Sequence, residues 1–361
     1  MAKKKKIGLL TSGGDCQGLN AALRGVAKGL ADYYDDVDFY GFTDGYRGLI
    51  ECDYKMYEAE DFSGILTLGG TILGTSRQPY KQMRVVDETT SVDKVAAMKR
   101  TYQKLGLDCL VILGGNGTHK TANLLAGEGL NIVTLPKTID NDIYGTDLTF
   151  GFYSAVDIAT YVIECIHTTA FSHSRVFIVE LMGHKAGWLT LYAGIGGGAD
   201  VILLPEIPYD IDKVAKAISK RNDNRGKFAI IAVAEGAISK EEAKMSKKEF
   251  KAARAAMEYP SVSYRLAAEL EAKTGKEIRV TVPGHFQRGG SPNAYDRVFC
   301  SLLGAAAADL IIKEQYGNMI GFVKNQFVPV PLSEVAGRLK LVPADSQVIT
   351  EARRLGISFG D

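Results

Sequence analysis

Short apolar runs that end in a glycine or acidic turn and then pass into a helical pattern constrain this chain most. Residues Asp108–Leu113 are apolar on both faces, as is most of Asn131–Leu135. A strand with two apolar faces belongs to a parallel sheet covered on both sides by helices. Ile7–Thr11, Val37–Thr43, Arg175–Leu181, Asp200–Pro205, Phe228–Ala234 and Arg279–Pro283 repeat the pattern. Helices are predicted between them, at Gly18–Ala31, Ser91–Leu105, His119–Ala126, Gly151–Thr169, Ile211–Lys220, Pro260–Thr274 and Ala294–Lys313. This alternation predicts an α/β fold. A length of 361 residues suffices for two domains with their own cores. A second β/α series starts after the Gly151–Thr169 helix. The Lys-, Glu- and Ala-rich stretch Ser239–Met257 reads as a solvent-facing helical insertion. The tail beyond Val328 fits neither period.

Hydrophobic residues make up 46% of the chain and charged residues 24%, as in ordinary soluble globular proteins. The net charge of +1 supplies no overall field for nucleic acid or a membrane surface, so neither is an expected partner. Anions must then be bound by local clusters. The Lys3–Lys6 run reads as a short solvated tail. It is followed by Ile7-Gly8-Leu9-Leu10 and then glycines, not by the apolar core of a signal peptide. No apolar run reaches ~18 residues, which argues against a membrane span. Cys16, Cys52, Cys109, Cys165 and Cys300 are odd in number and contain no C-x-x-C pair. Reduced thiols in a cytoplasmic protein are expected, and no zinc site.

The local clusters sit at strand ends. Ile7–Thr11 runs into Ser12-Gly13-Gly14-Asp15, and Asp108–Leu113 runs into Gly114–Thr118. A glycine turn between strand and helix presents backbone N–H groups to phosphate, although glycine also suits any tight turn. There is no Walker lysine. A further glycine loop, Gly69–Arg77, ends in an arginine, whose planar fork suits phosphate. Asn131–Leu135 leads to Lys137, Thr138, Asp140, Asn141 and Asp142. If that segment stays extended, Asp140 and Asp142 point to one side. One carboxylate then takes a proton while the other holds a cation; the alternative is an acidic turn. All these turns would share one edge of a parallel sheet, where α/β proteins bind ligands. Their convergence suggests a polyphosphate donor, with carboxylates for Mg2+ and for proton removal.

Taken in order, Thr11–Asp15, Gly69–Arg77, Gly114–Thr118, Pro136–Asp142 and Gly284–Pro292 resemble the motif series of the 6-phosphofructokinases, over roughly residues 5 to 315. The resemblance implies two doubly wound α/β domains with largely parallel sheets and an active site in the interdomain cleft. It places a phosphoryl-donor domain at 1–151 with about 288–335, and a fructose 6-phosphate domain at 152–287 with about 336–361. The implied reaction moves the terminal phosphoryl group of ATP to the C1 hydroxyl of fructose 6-phosphate, a step of glycolysis, with Mg2+ as cofactor. At matching positions Asp140 is the expected general base, with Thr138 and Arg77 as further catalytic residues. Gly13, Tyr46, Arg77, Gly117, Thr118 and Lys137 are expected on the donor. Thr138, Asp140, Arg175, Met182, Gly183, His184, Glu235, Arg279, His285 and Arg288 are expected on the sugar phosphate. Arg175 and Arg279 would reach a neighbouring subunit's site, so a homo-oligomer is implied, in the family's usual form a tetramer. Asp142 and Asn116 are the expected metal residues.

Three positions depart from the best-known bacterial pattern. Asn116 stands where an aspartate usually helps hold the metal. Lys137 resembles the pyrophosphate-using branch, whereas Gly117 resembles the ATP-using branch and leaves room for the larger donor. His184 replaces an arginine. Arg24, Lys28, Glu206 and Lys227 preserve part of an activator pocket, but His167 falls where an arginine would bind effector phosphate, so weak or absent control by ADP is expected. The competing readings are a reversible pyrophosphate-dependent phosphotransferase and a catalytically silent regulatory subunit. NAD kinases share a similar glycine turn but lack the Gly284–Pro292 segment.

Overall fold

In the computed structural model the described residues are 4–85, 93–224 and 228–361, with the backbone alone at 221–224. Lys227 and the start of the predicted Ser91–Leu105 helix lie outside them. The strands in chain order are β1 (Lys5–Ser12), β2 (Val37–Phe42), β3 (Tyr54–Tyr57), β4 (Cys109–Gly114), β5 (Ile132–Pro136), β6 (Val176–Leu181), β7 (Val201–Leu203), β8 (Ala229–Ala234), β9 (Ile278–Thr281), β10 (Asn318–Val323) and β11 (Gln326–Pro331). The helices are α1 (Leu19–Tyr33), α2 (Tyr46–Glu51), α3 (Lys94–Leu105), α4 (Asn116–Gly127), α5 (Phe152–His173), α6 (Trp188–Gly196), α7 (Ile211–Asn224), α8 (Lys240–Ala243), α9 (Lys247–Ala255), α10 (Val262–Thr274), α11 (Ala294–Ile312), α12 (Leu332–Val335) and α13 (Gln347–Arg354). They form two compact units: Met1–Ser154 with Arg288–Lys340, and Ala155–Gln287 with Leu341–Asp361. No helix of the described residues is long and apolar enough to cross a membrane. All five cysteines are free thiols.

The first unit holds a seven-stranded sheet in the order β11-β10-β5-β4-β1-β2-β3. Pairs from β10 to β2 are parallel, and only the outer pairs β10/β11 and β2/β3 are antiparallel. Every residue of β4 and β5 is buried, as expected of central strands with apolar faces on both sides. Leu10, Phe42, Leu110, Ile112, Ile132 and Met319 belong to one core cluster. The register sets Ser12 opposite Gly114 and Gly114 opposite Pro136, so three strand ends lie side by side. Helices α1 and α11 cross at contact distance because glycine faces glycine. A Cβ on Gly304 would lie 2.4 Å from the Ala22 carbonyl oxygen and 2.8 Å from the Gly25 Cα.

The second unit holds a four-stranded, all-parallel sheet in the order β7-β8-β6-β9. β6 and β8 are wholly buried, with Val176, Ile178, Leu203, Ile231, Val233 and Leu266 in its core cluster. Leu181 pairs with Ala234, and Val179 with Thr281, so the carboxyl ends of β6, β8 and β9 also emerge together.

Several sequence expectations are corrected. The 239–257 insertion is two short helices, each opened by a serine capping box, and it is not simply solvent-facing. The Glu242 side chain is only 4% exposed and is bridged at 2.8 Å by both Arg254 and Arg265. A buried charge persists only when paired in this way. Lys5 and Lys6 are not tail but the start of β1, and Lys4 pairs with Asp36 and Asp38. The unplaced tail contains the β11 edge strand, whose prolines are tolerated because its outer side is unpaired. Residues 336–340 lie in the first unit, where Leu339 bridges Ile143, instead of beginning the second domain.

Replacing Gly304 with valine is expected to lower stability by about 2–3 kcal/mol, since backbone atoms on α1 must give way. A urea midpoint measured beside the parent protein checks this.

Candidate active site

The three adjacent strand ends of the first unit carry the candidate site. At β1, Gly13 takes a left-handed φ of 87°. Its N–H donates to the Ser76 carbonyl at 3.1 Å, and its own carbonyl accepts from the Thr75 hydroxyl at 2.7 Å. These bonds tie the 69–77 loop to the first turn. Gly13 therefore contributes open space, not a free amide: a Cβ there would face the Lys137 ammonium and the Thr118 hydroxyl, both at 3.8 Å.

At β4 the helix begins earlier than predicted, at Asn116, with Gly115 as its cap. Gly117 and Thr118 thus lie in a helical first turn, where N–H groups have no partner inside the helix and favour an anion. A Cβ on Gly117 would meet nothing within 4 Å. Tyr46 is buried, and its hydroxyl donates to the Thr118 carbonyl at 2.9 Å. It supports the turn from the core and does not line the cleft. His119 is fully buried, with Nδ1 at 2.8 Å from the Gly115 carbonyl, and burial pulls its pKa down to about 4.

At β5 the chain turns instead of staying extended, because Asn141 is left-handed with φ 50°. The Asp140 N–H donates to the Thr138 hydroxyl at 3.1 Å, and the Asn141 amide oxygen accepts from the Thr149 N–H at 3.0 Å. Asp140 and Asp142 nonetheless line the same cleft. Burial raises the Asp142 pKa, which a bound cation would reverse. The Lys137 ammonium is buried, donates to the Gly14 carbonyl, and has its pKa lowered chiefly by burial. The Arg288 guanidinium donates to the Asp15 carbonyl at 2.9 Å.

Gly13, Arg77, Asn116, Gly117, Thr118, Lys137, Thr138, Asp140, Asp142 and Arg288 line one cleft of about 320 Å³ within the first unit. It combines three cationic side chains, helix-start amides and two carboxylates, a set suited to moving a phosphoryl group. Among the described residues no cluster of three His, Cys, Asp or Glu can hold a metal alone. One carboxylate with Asn116 nearby fits Mg2+, which keeps several waters and takes phosphate oxygens. Sequence reasoning missed Gln78, Pro79 and Tyr80 in this lining; only their place just after Arg77 marked them.

In the second unit, Met182, Gly183 and His184 follow β6, Glu235 follows β8, and His285 lies in a short turn after β9. The Glu235 carboxylate accepts from the His184 N–H at 2.9 Å. Gln287, fully buried and also missed, accepts from the Met182 N–H at 3.2 Å and donates to the Gly284 carbonyl at 3.1 Å. It hangs the 284–288 turn beside β6. His184 and Glu235 rim a pocket of about 690 Å³ whose far wall is the insertion, with Met245 and Phe250. Arg175 and Arg279 are elsewhere. Both are held by Glu277 near the amino ends of β6 and β9. Phe177 pairs with Arg279, so five residues of strand separate that level from Met182, about 16 Å at the usual rise. Of the activator set, Glu206 is occupied by the Gly187 and Val342 N–H groups, and His167 packs edge-on against Phe228.

A sequence model described as Phosphofructokinase matches residues 6–311. The chain belongs to the phosphofructokinase family. This phosphofructokinase is 52% identical to the ATP-dependent 6-phosphofructokinase of Spirochaeta thermophila over 359 residues, covering 99% of the chain and 98% of that relative. It is 46% identical to the ATP-dependent 6-phosphofructokinase of Propionibacterium freudenreichii, with 99% of each covered. Among solved structures it resembles phosphofructokinase from Pichia pastoris in the T-state, with a TM-score of 0.79 and 30% identity, covering 99% of this chain and 37% of that longer one. A pyrophosphate-dependent phosphofructokinase from Marinobacter aquaeolei shares the fold, with a TM-score of 0.78 at 21% identity, covering 98% of this chain and 92% of that one.

The buried His119 makes a pH prediction. Folded, this histidine stays neutral down to about pH 4; unfolded, it takes a proton near its ordinary value of about 6.5. Between the two the unfolded chain binds more protons, so stability falls as pH drops through that window, by up to about 1.4 kcal/mol per pH unit. Replacement by asparagine, which keeps the Gly115 bond, is expected to flatten that slope in thermal melts.

Proposed function

We propose that this phosphofructokinase transfers the terminal phosphoryl group of ATP to the C1 hydroxyl of fructose 6-phosphate in the cytoplasm. The carrying observation is the single cleft that gathers Asp140 with the amides of Gly117 and Thr118 and the cations of Arg77, Lys137 and Arg288. The names of the relatives at 52% and 46% identity favour ATP as donor. So does the open space at Gly117, where a side chain would stand in the donor's path. Lys137 supports a second reading with pyrophosphate.

In this reading the helix-start amides and Arg77 hold the donor phosphates, and Lys137 offsets their charge from below. Asp140 accepts the proton of the C1 hydroxyl as its oxygen attacks phosphorus, and Thr138 fixes the turn that aims it. Asp142, with Asn116, would hold Mg2+, which when bound neutralises charge on the transferring phosphates. In the second unit Met182, Gly183, His184, Glu235 and His285 recognise the sugar phosphate. Arg175 and Arg279 lie too far along their strands to join these residues in the same chain. They serve a neighbouring subunit, which makes the working form a homo-oligomer, a tetramer.

Replacing Asp140 with serine is expected to lower turnover by about 10²- to 10⁴-fold while the KM for fructose 6-phosphate stays close to the parent value. A coupled assay for fructose 1,6-bisphosphate, run with ATP and pyrophosphate side by side, checks both residue and donor. Unchanged turnover would remove Asp140 from its role, and faster transfer from pyrophosphate would reverse the donor.

A further inference from the structure

Residues 337–340 pass behind both catalytic turns of the first unit. Six contacts tie them there. The Asn116 side-chain amide donates to the Arg338 carbonyl. Leu339 bridges Ile143 in antiparallel fashion. The Lys340 N–H donates to the Asp142 carbonyl at 2.9 Å. The Lys340 ammonium donates to the Asn141 amide oxygen at 2.9 Å and to the Thr146 and Asp147 carbonyls at 2.9 and 2.8 Å. The Arg338 guanidinium also stacks on Tyr144, 3.4 Å from its ring centre.

These contacts converge on one backbone turn. Asn141 stands between the two carboxylates in a left-handed conformation, which asparagine tolerates better than most side-chain-bearing residues and which its contacts here fix. Its side-chain oxygen accepts from both the Thr149 N–H and the Lys340 ammonium. The direction of Asp140 and the depth of Asp142 follow from that conformation. Asn116 closes the other end: an amide can donate to the Arg338 carbonyl, whereas a carboxylate at the same place would repel it. That gives the asparagine a purpose separate from metal binding.

We infer that 337–340 is a strap, with Lys340 as its positioning residue, that holds the Asp140–Asp142 turn in register with the first turn of α4. The inference rests on the reading of Asp140 as the base. A strap of this kind acts on turnover more than on affinity, because none of its residues is among those lining the cleft. Misplacing a reacting group by about 1 Å costs on the order of 10²-fold in rate.

Two variants test it, each assayed for kcat, both KM values and melting temperature. Lys340→Met is expected to lower kcat about 10- to 100-fold with both KM values within about three-fold of the parent. In Lys340→Cys, alkylation with bromoethylamine restores an ammonium of nearly the same length, and should recover most of the lost turnover; the parent protein treated alike is the control. Asn116→Asp is expected to lower kcat about ten-fold by breaking the other end. If Asn116 served the metal alone, the added carboxylate would keep or raise kcat. Parent-level kcat in folded Lys340→Met, or in Asn116→Asp, overturns the inference, as does a loss seen equally in kcat and affinity. Should Lys340→Met fail to fold, Asn116→Asp decides. A parent protein that forms no fructose 1,6-bisphosphate would instead overturn the functional reading itself.

Discussion

Everything at the candidate site depends on the parallel register of β1, β4 and β5. Ser12, Gly114 and Pro136 are laterally paired, so the turns that follow them start within about 10 Å, two strand spacings, of one another. Parallel strands send all three turns out of the same edge, which antiparallel pairing would not do. The glycine turn, the helix start and the acidic turn come together because the ladder allows no other arrangement. A one-residue slip would reverse the faces of a strand whose residues are all buried.

The second unit repeats the device with different chemistry. β6, β8 and β9 bring Met182, Glu235 and the 284–288 turn to a common edge. Polar side chains then serve as scaffold: Glu235 holds a backbone N–H of the neighbouring turn, and Gln287 holds another. Leaving such a group unpaired would cost about 1–3 kcal/mol, which is why these turns keep one shape. The same strands carry Arg175 and Arg279 at their other ends, bridged by Glu277. One sheet thus carries the 182–184, Glu235 and 284–288 turns at one edge and the Glu277-bridged arginines at the other.

Much of this was legible in the sequence. Strands buried on both faces announce themselves by unbroken apolar runs, and glycine or aspartate at their ends marks the turns. What stayed hidden depended on tertiary contact. The extended and turned alternatives at 140–142 stayed open because the contacts that settle them are tertiary: Asn141 is held left-handed by Thr149 and by Lys340, nearly 200 residues away. The Ser12–Asp15 turn was expected to offer backbone N–H groups, but that of Gly13 is taken by Ser76 from a distant loop. Tyr46 was placed at the donor on family resemblance, yet its hydroxyl supports Thr118 from beneath. Glu242 looked like surface because its partners Arg254 and Arg265 are on other helices. The β10/β11 hairpin was missed because its outer strand is half exposed and contains two prolines.

The central physical claim is that adjacent strand ends of the first unit present helix-start amides to the donor and Asp140 to the acceptor hydroxyl. A crystal structure with fructose 6-phosphate, Mg2+ and an ATP analogue that cannot transfer its phosphate tests it most directly. The donor phosphates are expected within hydrogen-bond distance of the Gly117 and Thr118 N–H groups, with the Asp140 carboxylate on the C1 hydroxyl. Phosphates bound away from α4, or a C1 hydroxyl facing a group other than Asp140, would contradict it.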